Sequence, residues 1–103
     1  MESRKVVLTP EALGDLNSLY EFIAAASGPA RALSYIERLE DYCARFDLVA
    51  ERGTRRDDIR PGLRLVGFER RVTIAFHVDP STVTIDRILY GGREVEGIFA
   101  YRR

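Results

Sequence analysis

The sequence holds no tryptophan, one cysteine, one histidine and one lysine. A lone Cys43 cannot close an intrachain disulfide and gives no sign of an oxidising compartment. One His beside one Cys supplies too few parts for a zinc site or for a Cys–His nucleophilic pair. No run approaches about 18 consecutive apolar residues, which excludes a membrane-spanning helix. The opening Met1-Glu2-Ser3-Arg4-Lys5 leads into only three apolar residues, which predicts no signal peptide and a cytoplasmic protein. The shortage of lysine matters for chemistry: Lys5 is alone, while the other 15 cations are arginines. Arginine offers a rigid fork for carboxylates and phosphates but is a poor proton shuttle.

What is present fits one small folded domain. A chain of 103 residues that is 46% hydrophobic and 31% charged is too apolar for disorder and can bury one modest core. The zero net charge conceals an asymmetry. Residues 1–50 carry five cations against eight acids, a net −3, while residues 51–103 carry eleven arginines against eight acids, a net +3. A basic second half suits an acidic or phosphate-bearing partner.

The pattern of elements follows from local signals. Lys5–Thr9 reads as a short strand. Thr9-Pro10-Glu11 then supplies a capping hydroxyl, a proline for the first helical position and an acid for the positive end of the dipole. A helix is predicted over Pro10–Ala26 with Leu13, Leu16, Tyr20, Ile23 and Ala24 as its core stripe. Ser27-Gly28-Pro29 punctuates the chain before a second helix over Pro29–Leu48, whose inner face is Ala32, Tyr35, Ile36, Leu39, Cys43 and Phe46. So short a link makes an antiparallel helical hairpin. Glu51–Gly62 reads as a polar connection. Strands are predicted at Leu63–Phe68, Val72–Val78 and Thr82–Tyr90, separated at hairpin distances by Glu69-Arg70-Arg71 and Asp79-Pro80-Ser81. In the last strand Val83 and Ile85 share one parity but Ile88 and Tyr90 the other, which implies a bulge or burial on both faces. Val95, Ile98 and Phe99 suggest a short tail packed back on the body. The order β-α-α-β-β-β gives an α+β fold, a helical hairpin packed on one face of a mostly antiparallel sheet, as a single domain over 1–103.

Few residues carry obvious chemistry. His77, opposite in parity to Phe76 and Val78, reads as a polar residue on the open face of the sheet, and Cys43 as inert packing. Asp57-Asp58 could attract a metal, but adjacent carboxylates in an arginine-rich stretch pair with those arginines; no metal or cofactor is expected. Gly91-Gly92 lacks the Lys-Ser/Thr of a phosphate-binding loop and reads as a turn. The sheet half presents Arg64, Arg70, Arg71, Arg87 and Arg93. Arg87 has the parity of Val83 and Ile85, so on an inward face it needs a partner or a groove. Phe22 and Leu33 fall off the core stripes; exposed near one another, they would mark a docking site.

These residues also resemble a known pattern. Gly62-Leu63-Arg64-Leu65-Val66-Gly67-Phe68-Glu69-Arg70-Arg71-Val72-Thr73-Ile74-Ala75-Phe76, then Thr82-Val83-Thr84-Ile85-Asp86-Arg87-Ile88-Leu89-Tyr90-Gly91-Gly92-Arg93, is similar to the ParE branch of the RelE/ParE toxin superfamily. So is the opening Leu8-Thr9-Pro10-Glu11-Ala12-Leu13-Gly14-Asp15-Leu16. The resemblance implies the toxin of a type II toxin–antitoxin module that inhibits DNA gyrase and is neutralised by a ParD-like antitoxin in a hetero-oligomer. It implies no catalysis, no membrane partner and no sequence-specific nucleic-acid binding by the toxin alone. The runner-up is a RelE-like ribosome-dependent endoribonuclease, which Arg64, Arg87, Arg93, His77 and Tyr101 would have to serve without the usual lysines. A third reading is a non-toxic interaction domain. Charge and position assign antitoxin contacts to Phe22, Leu33, Arg64, Arg71 and Arg87, and target contacts to Arg64, Arg87, Arg93, Phe99 and Tyr101. One departure stands out: many relatives carry a proline ahead of the glycine matching Gly53, where this chain has Val49-Ala50-Glu51-Arg52-Gly53.

Overall fold

Thr9 sets the first helix in place. In the computed structural model, which describes residues 4–47, 50–91 and 95–100, its backbone is extended and its hydroxyl accepts the Ala12 N–H at 3.0 Å. The same hydroxyl donates to the Asp86 carbonyl at 2.9 Å, so the helix cap is tied to the sheet. Strand β1 therefore ends at Leu8 (Lys5–Leu8), one residue before the predicted end, and α1 runs Pro10–Ser27. Gly28, at φ 98°, closes α1 through its N–H to Ala24 O and opens α2, Pro29–Ala44.

Two details of the hairpin correct the sequence reading. The buried residues of α1 are Ala12, Leu16 and Leu19, whereas Leu13 is 54% exposed. Asp15 accounts for the rotation: both its oxygens are engaged by Arg87 and the Ile88 N–H, which fixes the helix about its axis. The second helix stops at Ala44 instead of Leu48, and a 3-10 turn over Arg45–Asp47 continues it. The tighter turn carries Phe46 fully into the core against Phe76, ring centroids 4.9 Å apart.

The sheet has five strands in the order β1-β5-β4-β3-β2, with β2 Thr54–Arg55, β3 Arg64–Phe68, β4 Val72–Val78 and β5 Thr82–Tyr90. β1 pairs with β5 in parallel, and the other three ladders are antiparallel. The two-residue β2 lies inside the stretch read as a plain polar connection. Gly53, at φ 76°, brings the chain so close to the Leu65 backbone that a Cβ there would strike its carbonyl.

The predicted bulge is present and falls at Asp86. Ala75 pairs with Arg87 and Phe76 with Ile85, leaving Asp86 as the extra residue. That insertion lets Val83 and Ile85 before it, and Ile88 and Tyr90 after it, all pack on the helix side. The hairpin, Val72, Ile74, Phe76, Val83, Ile85 and Ile88 make the main core. Leu63, Ala75, Leu89 and Val95 are buried outside that cluster. The sheet face carrying Ala75 is therefore less open than expected, and a short helix α3, Val95–Ala100, is the predicted tail. Among the described residues no helix is long and apolar enough to cross a membrane.

Candidate functional site

A groove of about 680 Å³ lies where the turn end of the hairpin overhangs the ends of β4 and β5. α1 contributes Phe22, Ile23 and Ala26, and α2 contributes Ala30, Arg31, Ser34, Tyr35 and Arg38. Arg71 before β4 and Tyr90 at the end of β5 complete it. The volume is that of a pocket for a small ligand or a few side chains. Phe22 is 54% exposed yet rests on Tyr90, ring centroids 5.0 Å apart and planes tilted by 53°. Arg71 Nη1 donates to the Tyr90 hydroxyl at 3.2 Å, so guanidinium, phenol and phenyl form one connected wall.

The opposite wall is braced across the β3–β4 turn. Glu69 and Arg70 both have positive φ, 50° and 63°, a conformation that glycine and asparagine prefer. Arg38 of α2 clamps that turn with a bidentate pair, Nε and Nη2 each 3.0 Å from the Glu69 carboxylate. Its hydrogen bonds hold the Glu69 carboxyl below the usual range. Arg38 also lies 5.3 Å from the Tyr35 ring centroid, and Tyr35 meets Phe68 edge-on at 5.7 Å. The Tyr35 hydroxyl is buried without a hydrogen-bond partner; burial first, then the Glu69 charge, pushes its pKa up.

A second polar cluster sits at the bulge. Asp86, 7% exposed, is the one buried charged residue among those described. Its Oδ2 lies 2.7 Å from His77 Nδ1, and Arg60 reaches its Oδ1 at 3.4 Å. Arg60 also covers the Phe99 ring at 4.8 Å, linking α3 to the sheet. On the helix side of the bulge, Arg87 donates from Nε and Nη2 to Asp15 at 2.8 and 2.9 Å, and the Ile88 N–H donates to the same carboxylate at 2.8 Å.

The groove unites only part of the predicted set. Phe22 and Arg71 line it together. Leu33 is 52% exposed as expected but does not line it. Arg64 lies in a separate cleft with Arg4, Arg55 and Asp79, donating to the Arg52 carbonyl at 3.2 Å. Arg87 is paired with Asp15, although the bulge at Asp86 takes it off the face of Val83 and Ile85, and Phe99 sits beneath Arg60. Arg93 and Tyr101 lie outside the described residues. Arg31, Tyr35, Arg38 and Tyr90 were not singled out as site residues. The signal available for the first three was their spacing of three and four along one flank of α2. Asp57 and Asp58 pair with Arg55 and Arg56, as expected of acids in that loop.

Cys43 is buried, and burial pushes its thiol up to about 12. The native protein should therefore resist iodoacetamide at neutral pH and be labelled stoichiometrically only in denaturant, read by intact mass. Rapid labelling of the folded chain would contradict this packing.

Comparison with known proteins adds to this geometry. The family model described as "ParE toxin of type II toxin-antitoxin system, parDE" matches residues 6–95. Among solved structures, the chain is similar to one titled "Chromosomal ParDE TA system from P. aeruginosa". The two share 26% identity with a TM-score of 0.76, over 86% of this chain and 97% of that one. No curated protein matches significantly.

Proposed function

Because the chain belongs to the ParE toxin family of type II toxin–antitoxin systems, we propose that it inhibits DNA gyrase and is silenced by direct binding of a ParD-like antitoxin. The observation that carries the reading is the family match across residues 6–95, joined to the same hairpin-on-sheet fold as the P. aeruginosa protein. Gyrase resides in the cytoplasm, and we place the toxin there.

The toxin works by adhesion. Trapping a state of another enzyme needs a shaped surface and no proton donor or acceptor of its own. The polar groups at the bulge are occupied in holding the fold: His77 and Arg60 on Asp86, and Arg87 on Asp15. Antitoxin contact is assigned to Phe22 and Arg71 in the groove, with Leu33 outside it and Arg64 in the separate cleft. Target contact is assigned to Arg64, Arg93, Phe99 and Tyr101. Arg87 joins either surface only by leaving Asp15.

Purified gyrase should lose supercoiling activity and accumulate cleaved DNA complexes at micromolar toxin, and added antitoxin should restore it. Unchanged supercoiling, together with discrete cuts in translated messages by primer extension, would instead establish the ribonuclease alternative.

A further inference from the structure

The groove has a charge pattern that selects its occupant. Among the described residues three arginines line it and no acid does. One of the three, Arg38, is neutralised by its bidentate pair with Glu69. Among the described residues the other two are not: the Arg71 side chain bonds the neutral Tyr90 hydroxyl, and neither Arg71 nor Arg31 has an ion pair. Between them the floor is apolar, with the free face of Phe22 beside Ile23, Ala26 and Ala30.

We infer that this groove binds an acidic segment of a partner polypeptide, with two carboxylates read by Arg31 and Arg71 and an apolar side chain seated on Phe22. This rests on the antitoxin reading for the identity of the partner, the segment being the antitoxin's. The wall is organised before anything binds. Tyr90 fixes the Phe22 ring, Arg71 fixes Tyr90, and the Arg38–Glu69 clamp fixes the turn that carries Arg71. Along this wall little side-chain freedom is left to lose on binding, which raises affinity for a given contact area, whereas the exposed Arg31 is ordered by the ligand. Charge-assisted bonds to guanidinium forks give such a site its selectivity for carboxylates. A basic segment would be repelled by the same two groups.

Two measurements on the full-length toxin test this. In the first, a capped hexapeptide Asp-Leu-Glu-Phe-Leu-Glu and its counterpart with Lys at the acidic positions are titrated into labelled protein by NMR. The acidic peptide should shift the amides of Ala26, Ala30, Arg31 and Tyr90 and bind about tenfold tighter than the basic one at low salt. R31Q/R71Q, exposed positions where folding is checked by thermal melting, should erase that difference. Equal binding of the two peptides, or shifts confined to another surface, would overturn the proposal.

In the second, the ligand is the ParD-like protein of any reading frame that adjoins the toxin's. R31Q/R71Q should weaken the complex about 30-fold or more, and the distant exposed R45Q should not. Undiminished binding by R31Q/R71Q removes the groove proposal and leaves the antitoxin reading standing. Failure of the antitoxin to bind wild-type toxin removes the antitoxin reading, and the hexapeptide titration then decides the groove alone.

Discussion

Replacing Asp15 by alanine is expected to destabilise the protein by about 3 kcal/mol. The carboxylate accepts three hydrogen bonds, two from Arg87 and one from the Ile88 N–H, and both partners of the ion pair are largely buried. Its loss strands a guanidinium beside the bulge and leaves a strand N–H without an acceptor. It also frees the rotation of α1 that Asp15 imposes. For a domain of this size the midpoint of thermal unfolding should fall by roughly 12–20 °C. D15N keeps an oxygen for the Ile88 N–H and should lose less than D15A. The double change D15A/R87M should recover part of the loss, because no charge is then left unpaired. Urea melts of the three variants measure this, and a D15A protein within about 1 kcal/mol of wild type would show that the pair is not a fastening.

The second large effect is expected at Gly53. An alanine there meets two separate penalties: a φ of 76°, and a Cβ driven into the Leu65 carbonyl. The first costs about 1–2 kcal/mol by itself. The second forces β2 away from β3, so the total should reach about 3 kcal/mol or more. Gly62 provides the internal control. Its φ is 82°, but a Cβ there meets open space. Gly62→Ala should therefore cost only the first penalty, and the difference between the two urea midpoints isolates the collision. Equal losses in the two variants would mean that the chain yields at Gly53 without strain.

Much of the fold was legible because its signals are local. Thr9-Pro10 marked the helix start with its cap, and the alternation of Val72, Ile74 and Phe76 marked a strand whose inner face is now seen buried. The parity change between Ile85 and Ile88 pointed to a bulge or to burial on both faces, and the bulge is there. Its position at Asp86 did not follow from parity, because that depends on which residue of β4 each neighbour meets. The rotation of α1 was misread for the same reason. Leu13 is as apolar as Leu16, and only Asp15, by finding Arg87 on a strand 72 residues away, decides which of them turns outward.

The groove lay further from reach. Its charge depends on Arg38 choosing Glu69, and its aromatic wall on Phe22 meeting Tyr90. Arginine content alone could not separate a guanidinium spent on structure, such as Arg87, from one left over, such as Arg31. Only the pairing of the acids makes that distinction.

The parallel pairing of Lys5–Leu8 with Thr82–Ile85 bears on how the molecule comes into being. Lys5–Leu8 leaves the ribosome long before Thr82–Tyr90, and that later strand lies between it and the remainder of the sheet. Closing so long a loop makes this contact slow and late. A nascent or prematurely terminated chain lacking Thr82–Tyr90 has nothing for its leading segment to dock upon and leaves Val72–Val78 half-paired. The body that holds the groove is then assembled only once Thr82–Tyr90 has been made, so a message interrupted before that point yields fragments without a working toxin.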